Sequence, residues 1–257
     1  MYHSIIIGDS ISSLTEQGAS HSRITGKNTW DDWHLIPSTR PLVNPPKPNT
    51  KGIQVPGRNG TLDMSRVLTG YMTYQNRTGS WEFIVDNDHW GWAVAYSAIM
   101  AEIHGQEKLC VLEDDNGYYY KGLLSVNAWK SDKNWSLITI DYDLEPFKHP
   151  IQSSEEEWLW DPFNFETGVI RTNSRTLNGG ETIEWVIPAS QEILKPNIYV
   201  SSSSIKAYYP SSTERDLSVG SHKYDWFKTK NSDSTIKFTN TGSSIAMVEI
   251  RYREGVF

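Results

Sequence analysis

The most regular pattern along the chain has a period of two. In "NWSLITIDYDLEPF", Ile138, Ile140, Tyr142 and Leu144 alternate with Thr139, Asp141 and Asp143, which predicts a strand with one buried face. One stretch keeps a helical period instead. In "DHWGWAVAYSAIMAEIHG", Trp92, Ala95, Tyr96, Ile99 and Ile103 recur at the spacing of one helix face, so a helix is expected over about 89–104. Asp88 is placed to cap its start, Gly105 to end it in the left-handed conformation, and His104 to favour the dipole of its last turn. Two hairpins are expected around this helix. Residues 71–85 form one, turning near "NRTG", and "KLCVLEDDNGYYYKGLLSV" forms the other, with Asn116 and Gly117 in a type I′ turn.

The alternation stops near Phe147. Pro146, Pro150 and the acidic "SSEEEW" follow, and residues 149–163 read as a linker. Beyond it, "ETIEWVIP", "PNIYVSSSSIKAYYP", "STIKFTN" and "SSIAMVEIRYR" are short strand-like runs between serine, asparagine, glycine and proline clusters, the pattern of an antiparallel β-sandwich. The chain is therefore expected to be mainly β. A first domain, 1–148, carries the one helix, and a sandwich domain occupies 164–257.

One segment fits neither pattern. Pro37, Pro41, Pro45, Pro46 and Pro48 fix φ and remove N–H donors, so the stretch after "NTWDDWHLI" is expected to be a stiff, extended arm rather than a central strand. "VPGRNGTLDMS" then turns on Gly57 and Gly60. A stiff arm projecting from a β domain suits contact with a neighbouring subunit better than catalysis.

Charge narrows the partners. Thirty-one acidic against 24 basic residues give a net charge of −7, and no basic run is present to grip a row of phosphates. The N-terminal "MYHSIIIGDS" lacks the basic region and cleavage site of a secretory signal, and no apolar run approaches the ~18 residues of a membrane span. Cys110, the single cysteine, reads as core packing. The sequons "NGT", "NRT" and "NWS" then read as chance matches.

Candidate chemistry is sparse. Asp31–Asp32, Glu113–Asp115 and Glu155–Glu157 each supply carboxylates for a glycosidase pair, but adjacent strand residues point to opposite faces, and the last two clusters suit a turn and a linker. The seven histidines show no metal-ligand spacing, and there is no nucleophile elbow or phosphate loop. No catalytic residue, cofactor or metal is expected. The aromatic content is high, with 11 tryptophans and 13 tyrosines. Trp81, Trp129, Trp135 and Trp185 lie in strand patterns and read as core. Trp30, Trp33, Trp158 and Trp160 lie at chain transitions, where packing and interface roles compete.

"NTWDDWHLIPSTRPLVNPP", "VPGRNGTLDMSRVLTGY", "YQNRTGSWEFIV", "AEIHG", "LEDDNGYYYKGLLSVNAWKSDKNWSLITIDYDLEPFK" and "WLWDPFNFETGVI", in this order over about residues 25–170, resemble the distal tail proteins of long-tailed bacteriophages and prophages. "IRYREGVF" resembles that family's ending. The resemblance implies a structural protein with no catalytic residues, made in the bacterial cytoplasm and placed at the virion tail tip. It implies a ring-forming first domain and a galectin-like or carbohydrate-module-like sandwich as the second. A hexameric ring would join the tail tube protein to the tail-tip hub and receptor-binding proteins, with host glycan as a further contact. Candidate inter-subunit residues are Trp30, Trp33, Arg40, Pro45, Pro46, Gly57, Gly60, Asp63 and Arg77. A carbohydrate-binding module and a glycoside hydrolase are the alternatives.

Overall fold

The computed structural model describes residues 3–16, 19–86, 91–132, 135–151, 173–210 and 212–257. Two compact units emerge. The first holds Met1–Ser12, Arg23–Ile151 and Phe257, and the second holds Ser13–Ser22 and Gln152–Val256. The chain is mainly β, as its alternation predicts.

The strands up to residue 150 are β1 (Ile5–Glu16), β2 (Ala19–Asn28), β3 (Leu35–Pro37), β4 (Gly52–Gln54), β5 (Thr61–Asp63), β6 (Arg77–Val85), β7 (Gln106–Leu112), β8 (Tyr118–Ser131), β9 (Ser136–Leu144) and β10 (His149–Pro150). One sheet runs in the order β2-β1-β7-β8-β9-β6-β3, and β10 pairs with β8. The predicted strand of alternating isoleucines is β9, with Ile138, Ile140, Tyr142 and Leu144 buried. Opposite it, β6 turns Arg77, Trp81, Phe83 and Val85 inward, with Trp81 facing Ile140 and Phe83 facing Ile138. These apolar cross-strand pairs are what hold the two strands in register.

A single helix, α1 (Trp92–Ile103), buries Trp92, Ile99 and Ile103 on the predicted face. Asp88 lies outside the described residues. Gly105 has φ +70° and ends the helix as expected. His104 has another task than the one expected: its Nδ1 accepts the Val126 N–H at 3.1 Å, which requires that nitrogen to carry no proton.

Two of the predicted turns differ. Residues 71–85 do not form a hairpin; β6 pairs with β9 and β3, partners remote in sequence, because a period of two marks a half-buried strand without naming its neighbour. Strands β7 and β8 do pair, but their connection passes through a 3-10 turn over Glu113–Asp115, and Asn116 has φ −67°. The acidic side chains fasten this longer turn. Glu113 accepts the Ser4 N–H, and Asp115 pairs with Lys148.

The later strands are β11 (Ser174–Leu177), β12 (Thr182–Ile187), β13 (Asn197–Val200), β14 (Ile205–Tyr208), β15 (Glu214–Asp216), β16 (Gly220–Lys223), β17 (Ser234–Asn240) and β18 (Ala246–Arg251). They make two four-stranded antiparallel sheets, β11-β18-β13-β16 and β12-β17-β14-β15. Leu177, Ile198, Val200, Val248 and Ile250 from one sheet share a core with Trp185, Ile205, Ile236 and Phe238 from the other, which makes a β-sandwich.

Candidate assembly surface

Between β3 and β6 the chain leaves the first unit's sheet as the expected arm, residues 38–76. Its root is clamped by side chains of β6 and β9. Trp81 Nε1 donates to Leu42 O at 2.9 Å, the Tyr142 hydroxyl accepts the Asn44 N–H at 3.1 Å, and Asn44 Nδ2 donates to Thr78 O at 2.9 Å. Arg77 completes the clamp, donating from Nε to Pro146 O and from Nη1 to Asn44 O.

Farther out, the two limbs hold each other. Gln75 N donates to Lys47 O, Asn49 N to Thr73 O and Met64 N to Lys51 O, at 2.7–2.9 Å. Prolines 45, 46 and 48 have no N–H to leave unpaired, so this narrow ladder strands few donors. At the end, β4 and β5 form a two-stranded ribbon. Gly57 and Gly60 turn it with φ +80° and +79°, and a Cβ at either would meet nothing within 4 Å. The conformation, not crowding, selects glycine there. Arg58 sits between them, with no side-chain partner among the described residues.

The candidate residues do not share one environment. Pro45, Gly57, Gly60 and Asp63 are exposed on the arm, and Pro46 is half-buried there. Asp63 is partly spent on a turn, accepting from Ser65 N and Oγ. Arg40 is exposed but tied to its own chain, with Nε 2.7 Å from Asp114 Oδ2. Trp30 is half-buried, edge-on to His34. Trp33 and Arg77 point inward: Trp33 belongs to the first core, and Arg77 is 5% exposed with its guanidinium over the Tyr120 ring. Neither offers a surface to a neighbour. Of the four tryptophans read as core, Trp81 and Trp185 are buried and Trp129 is partly so, but Trp135 is 44% exposed. Trp158 and Trp160 lie outside the described residues.

Composition of the arm carries a signal that motif reading missed. Arg40, Lys47, Lys51, Arg58 and Arg66 against Asp63 give the arm +4, which leaves −11 on the rest of a chain whose total is −7. The arm also exposes Leu42, Ile53, Val55, Leu62, Val67 and Leu68, the last at 98%. A basic, apolar-studded excursion from an acidic body has the makings of an interface.

A shallow depression of about 560 Å³ lies elsewhere on the same unit. Ile6, Val111 and Trp30 supply apolar lining, and Asp31 and Glu113 are its two carboxylates. The neighbouring acids are engaged. Asp32 accepts the Asn28 N–H and pairs with Lys27, and Asp114 takes Arg40 and His3. These bonds hold Asp32 and Asp114 below the ordinary carboxylate range, the first chiefly through the Asn28 N–H and the second through Arg40. A glycosidase acid needs the opposite displacement. Glu155–Glu157 lie outside the described residues. Among the described residues, no group of three or more acidic, histidine or cysteine side chains is placed to hold a metal ion, and no helix is long and apolar enough to cross a membrane.

Comparison with family models and with curated proteins finds no match. Among solved structures, the crystal structure of SPP1 Dit (gp 19.1) matches with a TM-score of 0.56 at 10% identity, covering 97% of this chain and 98% of that one. The two proteins share a fold. That structure is described as a paradigm of the hub adsorption apparatus in phages infecting Gram-positive bacteria. The Dit likeness takes in almost the whole length of both chains, so it extends over both units of this one. At 10% identity it is a likeness of fold alone.

Proposed function

We propose that this chain is a structural tail-tip protein of a bacteriophage or prophage, a distal tail protein without catalytic activity. In this reading six copies close a ring that joins the tail tube to the tail-tip hub and to receptor-binding components. The observation that carries the reading is the arm, a stiff, basic, apolar-faced excursion clamped at its root, on a fold shared with a phage hub protein. Rigid arms bind with less ordering cost than flexible ones. Size-exclusion chromatography with light scattering tests it. The full chain should run as a ring of about six copies, and removal of residues 50–64 should leave a folded, smaller species. A full chain that stays monomeric at high concentration sinks the reading.

A glycan-binding role for the sandwich has one observation in its favour. His222, Tyr224 and Trp226 form a row of rings with successive centroids 6.2 and 5.2 Å apart, of which His222 is exposed and Tyr224 and Trp226 are half-exposed; the next ring, Tyr209, is buried in the sandwich core. Successive rings at such spacing suit sugar faces. A glycan array probed with the full chain and with Trp226→Ala decides it: binding that the substitution abolishes supports the role, and an empty array rejects it.

A further inference from the structure

We propose that Arg58, at the ribbon tip of one copy, inserts into the Trp30–Asp31–Glu113 depression of the next copy, an inference that rests on the ring reading and names its contact. The depression has the chemistry of a receptor for a long cationic side chain. Its lining of Ile6, Val111 and Trp30 suits an aliphatic stem. Among the described residues, the Glu113 side chain is hydrogen-bonded only to Ser4, through Oε2. Asp31 and Glu113 have no ion pair among the described residues, whereas Asp32 and Asp115 beside them each have one and Asp114 has two. Glu113 is already aimed, because Ser4 N donates to Oε2 at 2.8 Å and Oε1 is left without a partner among the described residues.

The occupant is identified by what the arm leaves unpaired. Arg40 is spent on Asp114, and Arg66 lies close enough to Asp63 to feel its charge. Lys47 and Lys51 sit on the paired limbs and lack the planar head that matches two carboxylates. Arg58 alone is an arginine held forward between two glycine turns, on a tip with no crowding behind it. Tip and depression are different patches of one surface, so each copy gives one and receives the other. That is the head-to-tail contact a closed ring requires. The +4 arm and the −11 remainder supply the matching long-range attraction.

A charge-swap series on the full chain tests the pairing. Arg58→Asp and Asp31→Arg should each weaken association at least about tenfold, and the double variant should recover most of it, since the interaction is restored with its sign reversed. Asp31 is exposed, so its replacement leaves the core intact. Cross-linking gives a second readout. Arg58→Cys chains mixed with Asp31→Cys chains should be joined by a short bis-maleimide into mixed dimers, while each chain alone should not. The native thiol is silent, because Cys110 is fully buried and burial pushes its pKa up to about 12. An Arg58→Asp ring of unchanged strength, a double variant no tighter than the singles, or tip-to-tip cross-links between Arg58→Cys chains would overturn the pairing. If Arg58→Asp still assembles while the chain lacking 50–64 does not, the pairing falls and the ring reading stands. A monomeric parent chain defeats both.

Discussion

Arg77 takes a full charge to a place where 5% of its surface meets solvent, with partners for two of its three guanidinium nitrogens and Nη2 buried without a hydrogen bond among the described residues. Nε and Nη1 reach the carbonyls of Pro146 and Asn44, and the Tyr120 ring lies 5.4 Å from the central carbon. Burial pushes its pKa down, but arginine has so much range that it stays charged, where a lysine would be driven toward neutrality. Arg77→Leu removes the donors and leaves two carbonyls short of partners, so it should cost about 2–3 kcal/mol. The urea midpoint checks this; an unchanged midpoint would show that Arg77 is ornamental. The inward position was legible. Arg77 has the same parity as Trp81, Phe83 and Val85 in "RTGSWEFIV", and that rule outranks the habit of placing arginine outside. Trp33 shares parity with buried Leu35 in the same way. No local pattern announced the partner of Arg40, since Asp114 is 74 residues away. That pair makes a pH prediction. Arg40 holds the Asp114 carboxyl below its ordinary value, so the tie contributes in full above the unfolded value of about 4 and is lost as pH falls through the lowered folded value. Carboxyl NMR of Asp114 should titrate below the reference range and return to it in Arg40→Gln. An ordinary midpoint in the parent chain would refute the tie in solution.

At the scale of elements, the same alternation that revealed β9 concealed how β6 is used. A period of two says that one face is buried, and chain separation says nothing about which strands meet: Arg77 in β6 faces Leu144 in β9. The helix was easier because its hydrogen bonds are local, and its buried face appeared where the spacing placed it. The arm was legible as stiff and extended from its prolines. Its clamp was not, because Trp81 and Tyr142 look like ordinary core residues, and it is their polar ends that hold Leu42 and Asn44. Gly79 is part of that clamp. A Cβ there would stand 2.3 Å from the Tyr142 hydroxyl and 2.7 Å from Asn44 Nδ2, so Gly79→Ala must push one or both away. It should cost about 1–3 kcal/mol and loosen the arm. Tyr142→Phe should cost about 1 kcal/mol through the lost hydrogen bond to Asn44. The two changes strike one contact, so the double variant should fall well short of the sum. Strict additivity in denaturant unfolding would show that Gly79 acts elsewhere.

Over the whole molecule, the division that matters is of charge. The arm holds +4 within 39 residues, and the remaining chain holds −11. No short motif carries this asymmetry, and only summing charge over the arm exposes it. Two effects then compete in assembly. Leu42, Ile53, Val55, Leu62, Val67 and Leu68 are exposed to an extent unusual for their size; burying Leu68, which is 98% exposed, would contribute about 1.5–3 kcal/mol, and the part-covered others proportionately less. That term is indifferent to modest salt. The charge term acts over distance, and its reach contracts from about 10 Å at 0.1 M salt to about 3 Å at 1 M. Apolar burial should therefore set how long a neighbour stays, and charge should set how fast it arrives. Stopped-flow light scattering after dilution from a dissociated state should show association slowing at least about tenfold between 0.1 and 1 M sodium chloride, while the final mass stays that of the ring. Arg58→Asp should flatten part of that salt dependence, because one of the steering charges has changed sign. If the rate does not move with salt, the basic arm does not steer assembly, and the apolar side chains alone must account for it.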